Sequence, residues 1–141
     1  MSKIAIIYWS STGNTEAMAN SIKKGIENAG ANADMFSVSN FSANIDDYDK
    51  IALGCPAMGS EELEDSEFVP VYDSIKDKLS GKKIALFGSY DWGDCEWMRT
   101  WENDISSLGG NLIRDGLTIN LSPDDNGIND CISLGEALAK A

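Results

Sequence analysis

The sequence predicts an α/β fold in which a parallel sheet is covered by helices on both faces. Short apolar runs without polar alternation, such as IAIIYW at 4–9 and KIALFGS at 83–89, read as strands buried on both sides. Between them lie stretches whose apolar residues recur at helical spacing. Repeated strand–helix alternation of this kind implies crossover connections that place helices above and below one sheet.

The first strand, 4–9, leads into a helix with Met18, Ile22, Ile26 and Ala29 on one stripe and Gly30 as its stop. ADMFSV at 33–38 is a weaker second strand, and KIALG at 50–54 a third. Phe68, Tyr72, Ile75 and Leu79 mark the next helix face. Pro70 sits in its first turn, where a missing N–H costs little. Gly81 ends that helix, and 83–89 is the fourth strand. Trp97, Trp101, Ile105 and Leu108 stripe a third helix, stopped by Gly109 and Gly110. A fifth strand falls within 111–121. Asp124 or Asp125 caps a last helix carrying Ile128, Cys131, Ile132 and Leu138.

The 141 residues fit one compact domain, 1–141, and 43% hydrophobic content is enough for a core. Formal net charge is −12, from 23 acidic and 11 basic residues with no histidine. Such a surface repels nucleic acid and anionic membrane and favours basic partner proteins. Cys55, Cys95 and Cys131 are odd in number and lack CxxC spacing, as expected of reduced thiols in a cytoplasmic protein rather than a disulfide frame or metal site. The run 4–9 is too short for a signal sequence or membrane span, and no targeting segment is expected.

In a doubly wound fold, ligands sit beyond the carboxyl ends of the strands. Three loops of unusual composition leave those ends: 10–15, 55–67 and 89–95. SSTGNT offers the hydroxyls of Ser10, Ser11, Thr12 and Thr15, the amide of Asn14, and Gly13, just before a helix N-terminus that suits an anion. It matches neither GxxxxGK[ST] nor GxGxxG, so the expected ligand is a phosphate monoester. CPAMGSEELEDSE carries five acids between Glu61 and Glu67, most of them expected to be solvated. In its quartet Met58–Gly59–Ser60–Glu61, Gly59 permits a type II′ turn with φ > 0. A type II turn would instead need φ > 0 at Ser60, which serine tolerates poorly. In the third loop Tyr90 and Trp92 lie between glycines and suit a stacking platform, whereas Trp97 and Trp101 belong to the core. A flat ring with a phosphate monoester tail points to flavin mononucleotide, FMN.

Taken together, YWSSTGNTE, GCPAMGSEELEDSEFVP and GKKIALFGSYDWGD followed by WM resemble the flavodoxin family in its short-chain form, over essentially the whole chain. The resemblance, not the periodicity, implies a five-stranded sheet in the order 2-1-3-4-5; flavodoxin is itself a type example of this doubly wound arrangement and of its ligand position. It also implies a low-potential one-electron carrier, not an enzyme. Such a carrier holds FMN non-covalently and shuttles between semiquinone and hydroquinone to link redox enzymes in place of ferredoxin. Its partners would be redox proteins with basic docking surfaces, and the carrier itself a monomer.

By the same resemblance, Ser10, Ser11, Thr12, Gly13, Asn14 and Thr15 form the phosphate loop, and Pro56, Ala57, Met58, Gly59, Ser60 and Glu61 the turn beside the flavin. Met58 covers one ring face and Trp92 stacks on the other. Glu61 accepts from flavin N3–H, and the Gly59–Ser60 peptide turns its carbonyl toward N5–H in the one-electron state. Backbone groups of Ser89, Tyr90, Asp91, Trp92 and Gly93 surround the pyrimidine edge. Three positions depart from common family patterns: Ser11 and Asp91 stand where relatives often have Gly, and Ser60 where some have Asp or Asn. Asp91 is expected to point outward.

A phosphate without a basic partner, Glu61 and the acids of 62–67 all oppose an anionic reduced flavin. One unit charge about 10 Å away at an effective dielectric constant of about 20 costs roughly 1.7 kcal/mol, on the order of −70 mV for one electron. An FMN-dependent reductase of the same fold is the alternative reading, and would need a nicotinamide site. A phosphoryl receiver would need acids at the ends of strands one and three, where Ser10 and Gly54–Cys55 stand. A low-molecular-weight phosphatase would need Cys-x5-Arg, which is absent.

Overall fold

A computed structural model describes residues 3–11, 13–59 and 61–141. Its strands are β1 (Ile4–Tyr8), β2 (Ala33–Ser37), β3 (Lys50–Gly54), β4 (Lys83–Tyr90), β5 (Asn111–Leu112) and β6 (Leu117–Asn120). Its α-helices are α1 (Asn14–Asn28), α2 (Phe68–Ile75), α3 (Glu96–Ser107) and α4 (Asp125–Lys140). All strand pairs are parallel, in the order β2-β1-β3-β4-β5 with β6 also on β4. The expected order 2-1-3-4-5 is therefore present, with its last position shared by two short strands.

Phe87 pairs with Leu117 and Ile84 with Leu112, so β5 and β6 follow one line along β4. Between them Ile113 N–H still reaches Ile84 O (3.0 Å), but Gly116 N–H turns aside to Glu102 Oε2 (2.5 Å). That diversion is the physical reason for the break in the expected single strand. Elsewhere the boundaries move by one residue: β1 and β2 stop short of Trp9 and Val38, and β4 extends to Tyr90. The second helix leaves α geometry after Ile75 and continues as a short 3₁₀ turn, with Leu79 buried just beyond it.

Alternation along the strands divides the interior into two layers. Ala5, Ile7, Ile51, Leu53, Ile84 and Leu86 pack with Phe68 and Tyr72 of α2 and Trp97, Trp101 and Ile105 of α3. Ile4, Ile6, Ala52, Ala85 and Phe87 face Met18, Ile22 and Ile26 of α1 and Cys131, Leu134 and Leu138 of α4. α1 and α4 cross at two glycines. A Cβ at Gly25 would lie 2.0 Å from Ile132 O, and one at Gly135 would lie 2.0 Å from Ile22 O. Backbone therefore meets backbone on both sides of the crossing, which fixes α1, and with it the loop at its N-terminus, against the sheet.

Candidate functional site

The loops leaving β1, β3 and β4 meet at the C-terminal edge of the sheet. They enclose a cleft of about 270 Å³ lined by Ser10, Ser11, Thr15, Pro56, Ala57, Met58, Gly59, Glu61, Ser89, Tyr90, Asp91 and Trp92. Every lining residue belongs to the set singled out from the sequence. Gly13, Asn14 and Gly93 adjoin lining residues in the sequence but do not line the cleft themselves, and Thr12 and Ser60 lie outside the described residues.

The first loop is built around the start of α1. Gly13 is the N-cap, left-handed at φ 95°, and offers no side-chain cap. Ser10 Oγ takes that role, accepting from Gly13 N–H (3.2 Å) and Glu16 N–H (3.3 Å). Among the described residues no acceptor takes the N–H groups of Asn14 and Thr15. Two helix-terminal donors beside serine and threonine hydroxyls form an anion-accepting set that needs no lysine. The buried Thr15 hydroxyl lies 3.0 Å from the Ser89 hydroxyl and ties this helix terminus to the end of β4.

The second loop is anchored more firmly than its charge run suggests. Met58 and Glu62 exchange both backbone hydrogen bonds, at 2.8 and 2.9 Å. The turn therefore closes one residue beyond the quartet 58–61. Gly59 has φ 47° and Glu61 φ 59°, so the positive φ expected at Gly59 is present and Glu61 adds a second. Most of the acids in this run are expected to be solvated, and Glu64 is the buried exception. Its buried carboxylate accepts from Glu67 N–H (2.7 Å), Phe68 N–H (2.8 Å) and Ser66 N–H (3.0 Å), and from the Ser66 hydroxyl, capping α2. Burial opposes its charge, but these donors outweigh burial and hold its pKa below the usual range. Glu64 N–H also reaches Cys55 Sγ at 3.3 Å.

In the third loop Trp92 is 64% exposed, while Trp97 and Trp101 are buried as expected. Tyr90 is only half a platform: its ring tilts at 50° against Trp97, 5.9 Å between centroids, so it serves the core as well as the cleft. Asp91 is exposed, and neither it nor Ser11 has a positive φ, so neither departure from glycine strains the backbone. Glu61 Oε1 accepts from Glu96 N–H at the start of α3 (3.0 Å), and Gly93 packs directly against this carboxylate. Among the described residues no hydrogen bond is made to Glu61 Oε2, which can accept from a ligand N–H.

No Lys or Arg occurs in 4–22, 51–75, 84–98 or 115–139, the stretches that supply the cleft edge. Arg99, just beyond, is held by Asp94 (3.2 Å). Lys3, Lys50, Lys82 and Lys83 stand at strand starts, and Lys76, Lys78 and Lys140 near helix ends, all on the opposite edge. The cleft edge therefore carries an excess of negative charge, while Lys23 and Lys24 in the middle of α1 and Arg114 between β5 and β6 stand between the two edges.

Sequence reasoning did not single out Asn120, Leu121 or Ser122. Asn120 Nδ2 donates to Tyr90 O (3.1 Å) and Ser122 Oγ to Asn14 Oδ1 (3.0 Å). The segment has no motif, and only the pairing of β6 with β4 brings it to the site.

The fold and cleft define a doubly wound protein built to hold a flat, phosphate-bearing cofactor at its strand-order switch. The flavodoxin family model matches residues 6–135. The chain is 49% identical over 141 residues to flavodoxin from Megasphaera elsdenii, covering 98% of this chain and 99% of that one. It is 46% identical over 137 residues to flavodoxin from Clostridium beijerinckii, covering 95% and 97%. The solution structure of two-electron reduced Megasphaera elsdenii flavodoxin aligns with a TM-score of 0.86 at 48% identity, covering 98% and 99%. This chain belongs to the flavodoxin family, as a short-chain member. Flavodoxins are FMN-bound electron carriers rather than enzymes. Among the described residues no helix is long and apolar enough to cross a membrane.

Proposed function

We propose that this chain is a single FMN-binding unit, 1–141, that works at low potential in the cytoplasm as a monomer. It carries one electron at a time between redox enzymes in place of ferredoxin, cycling between the one- and two-electron-reduced forms of its cofactor. The observation that carries this reading is the cleft: an open helix N-terminus, a glycine turn and an exposed tryptophan converge on it. At about 270 Å³ it lies just below the usual range for a cofactor pocket, consistent with a ligand whose outer edge stays accessible for electron transfer.

FMN, when bound, supplies reversible one-electron chemistry. The residues supply the rest. Ser10 through Thr15 donate to the phosphate from hydroxyls, the Asn14 amide and the α1 terminus. Pro56, Ala57, Met58, Gly59 and Glu61 would form one wall, with Met58 toward a ring face and Glu61 Oε2 as acceptor for the ring N–H; Ser60, outside the described residues, is assigned to this turn by its place in the sequence. Ser89 through Gly93 border the polar ring edge, and Trp92 covers the second face. None of these contacts neutralises the phosphate, so its charge and Glu61 both oppose adding negative charge to the ring.

The negative cleft edge orients approaching proteins and suits partners with basic docking surfaces. A reductase reading finds no acid–base pair beside the cleft among the described residues. Burial pushes the Cys55 and Cys131 thiols up to about 12, which leaves them unreactive. An anaerobic reductive titration tests the proposal: the purified protein is expected to be yellow and to pass through a blue one-electron-reduced form. A colourless protein that fails to take up added FMN would end it, and direct reduction by NADPH without a partner would favour the reductase.

A further inference from the structure

Leu121, directly after β6, has φ 58° although its side chain is 51% exposed. An L residue with a bulky side chain avoids that conformation, and here burial gives little in return. The hydrogen bonds around it over-determine the conformation. Leu121 N–H donates to Tyr90 O (2.8 Å), Asn120 Nδ2 donates to Tyr90 O (3.1 Å) and Asp91 O (3.4 Å), and Ser122 Oγ donates to Asn14 Oδ1 (3.0 Å). A left-handed residue between Asn120 and Ser122 breaks the extended chain, so the two side chains reach different loops. One loop borders the flavin ring in the proposed function and the other holds its phosphate.

We propose that Asn120 and Ser122 are positioning residues that brace the two halves of the FMN site. The inference rests on that proposed function. A trans peptide is planar, so its C=O and N–H point in opposite directions. Fixing the carbonyls of Tyr90 and Asp91 toward β6 therefore aims the N–H groups of Asp91 and Trp92 away from it, as donors to the polar edge of the ring. Fixing Asn14 through Ser122 orders the first residue of α1, where the phosphate is received. Neither Asn120 nor Ser122 lines the cleft, so both act through the loops they hold.

Riboflavin separates the two arms, because it has the ring and ribityl chain without the phosphate. Apoprotein is titrated with FMN and with riboflavin by flavin fluorescence quenching, and its thermal midpoint is measured alongside. Asn120→Ala is expected to weaken both ligands equally, on the order of tenfold for two lost hydrogen bonds. Asn120→Asp, which keeps the shape and loses the donor, is expected to do the same and serves if the alanine variant folds poorly. Ser122→Ala is expected to weaken FMN by roughly three- to tenfold and leave riboflavin unchanged, with Ser122→Thr restoring FMN affinity. Variants that bind both ligands like the wild type, or a Ser122→Ala loss equal for FMN and riboflavin, would overturn the brace while leaving the FMN assignment intact. Wild-type protein that binds neither ligand would overturn both.

Discussion

Gly59→Ala isolates a conformational term from a steric one. Gly59 has φ 47°, and a Cβ built there meets no heavy atom within 4 Å, so alanine adds no clash. What it adds is the cost of a left-handed L residue, about 1–2 kcal/mol. In folding, a less flexible unfolded chain offsets part of that cost, by about 0.4–1 kcal/mol. Between redox states of the folded protein this offset cancels. If the turn uses positive φ at residue 59 mainly in the one-electron-reduced form, where the 59–60 peptide turns toward flavin N5–H, the whole cost falls on the first couple. At 59 mV per tenfold for one electron, that lowers the first potential by roughly 40–90 mV. The second couple should stay nearly unchanged. Spectroelectrochemistry resolves the two couples on one sample. Equal shifts in both couples, or none in the first, would refute the idea that this turn distinguishes the first reduced form.

Three further outcomes are expected. Gly25→Ala and Gly135→Ala each place a methyl 2.0 Å from a backbone oxygen, so each should cost about 1–3 kcal/mol in urea unfolding; midpoints unchanged from wild type would show that α1 and α4 are not held at this crossing. Glu61→Gln removes a charge from the cleft and should raise the second potential by on the order of 70 mV; a fall in that potential would contradict the electrostatic reading. Glu64 has its folded pKa depressed below the unfolded value, so its stabilisation is present above the unfolded pKa and lost as pH falls through the folded one. Glu64→Gln should therefore be less stable at neutral pH, by about 1 kcal/mol as for a lost helix cap, and the difference should shrink below about pH 4; a gap that persists in acid would rule out a charge-dependent cap.

Legibility in the sequence followed the range of the interaction. Ile4 through Tyr8 and Ile51 through Leu53 read as strands because apolar residues run consecutively in them without polar alternation, a local property. The site loops were legible for the same reason, since Ser10 to Thr15 and Met58 to Glu61 carry their chemistry in consecutive residues. The fifth strand position was not, because its interruption depends on Glu102, fourteen residues from Gly116, capturing a backbone N–H. Glu64 looked like any member of an acidic run until the fold closed the start of α2 around it. Gly25 drew no reading from the sequence, and only the approach of α4 gives it a purpose. Asn120 and Ser122 carry no motif at all, and their contacts span 30 and 108 residues of chain.

The separation of bases from the cleft edge also bears on how copies of this protein treat one another. Electron exchange between two identical carriers requires their cofactor edges to meet, and here that encounter brings two acid-rich surfaces together, each with Arg99 at its margin tied to Asp94. Self-exchange should be slow at low ionic strength and quicken as salt screens the repulsion. A population of such carriers would then keep reduced and oxidised molecules kinetically distinct, each discharging to an unlike protein rather than levelling with its neighbours.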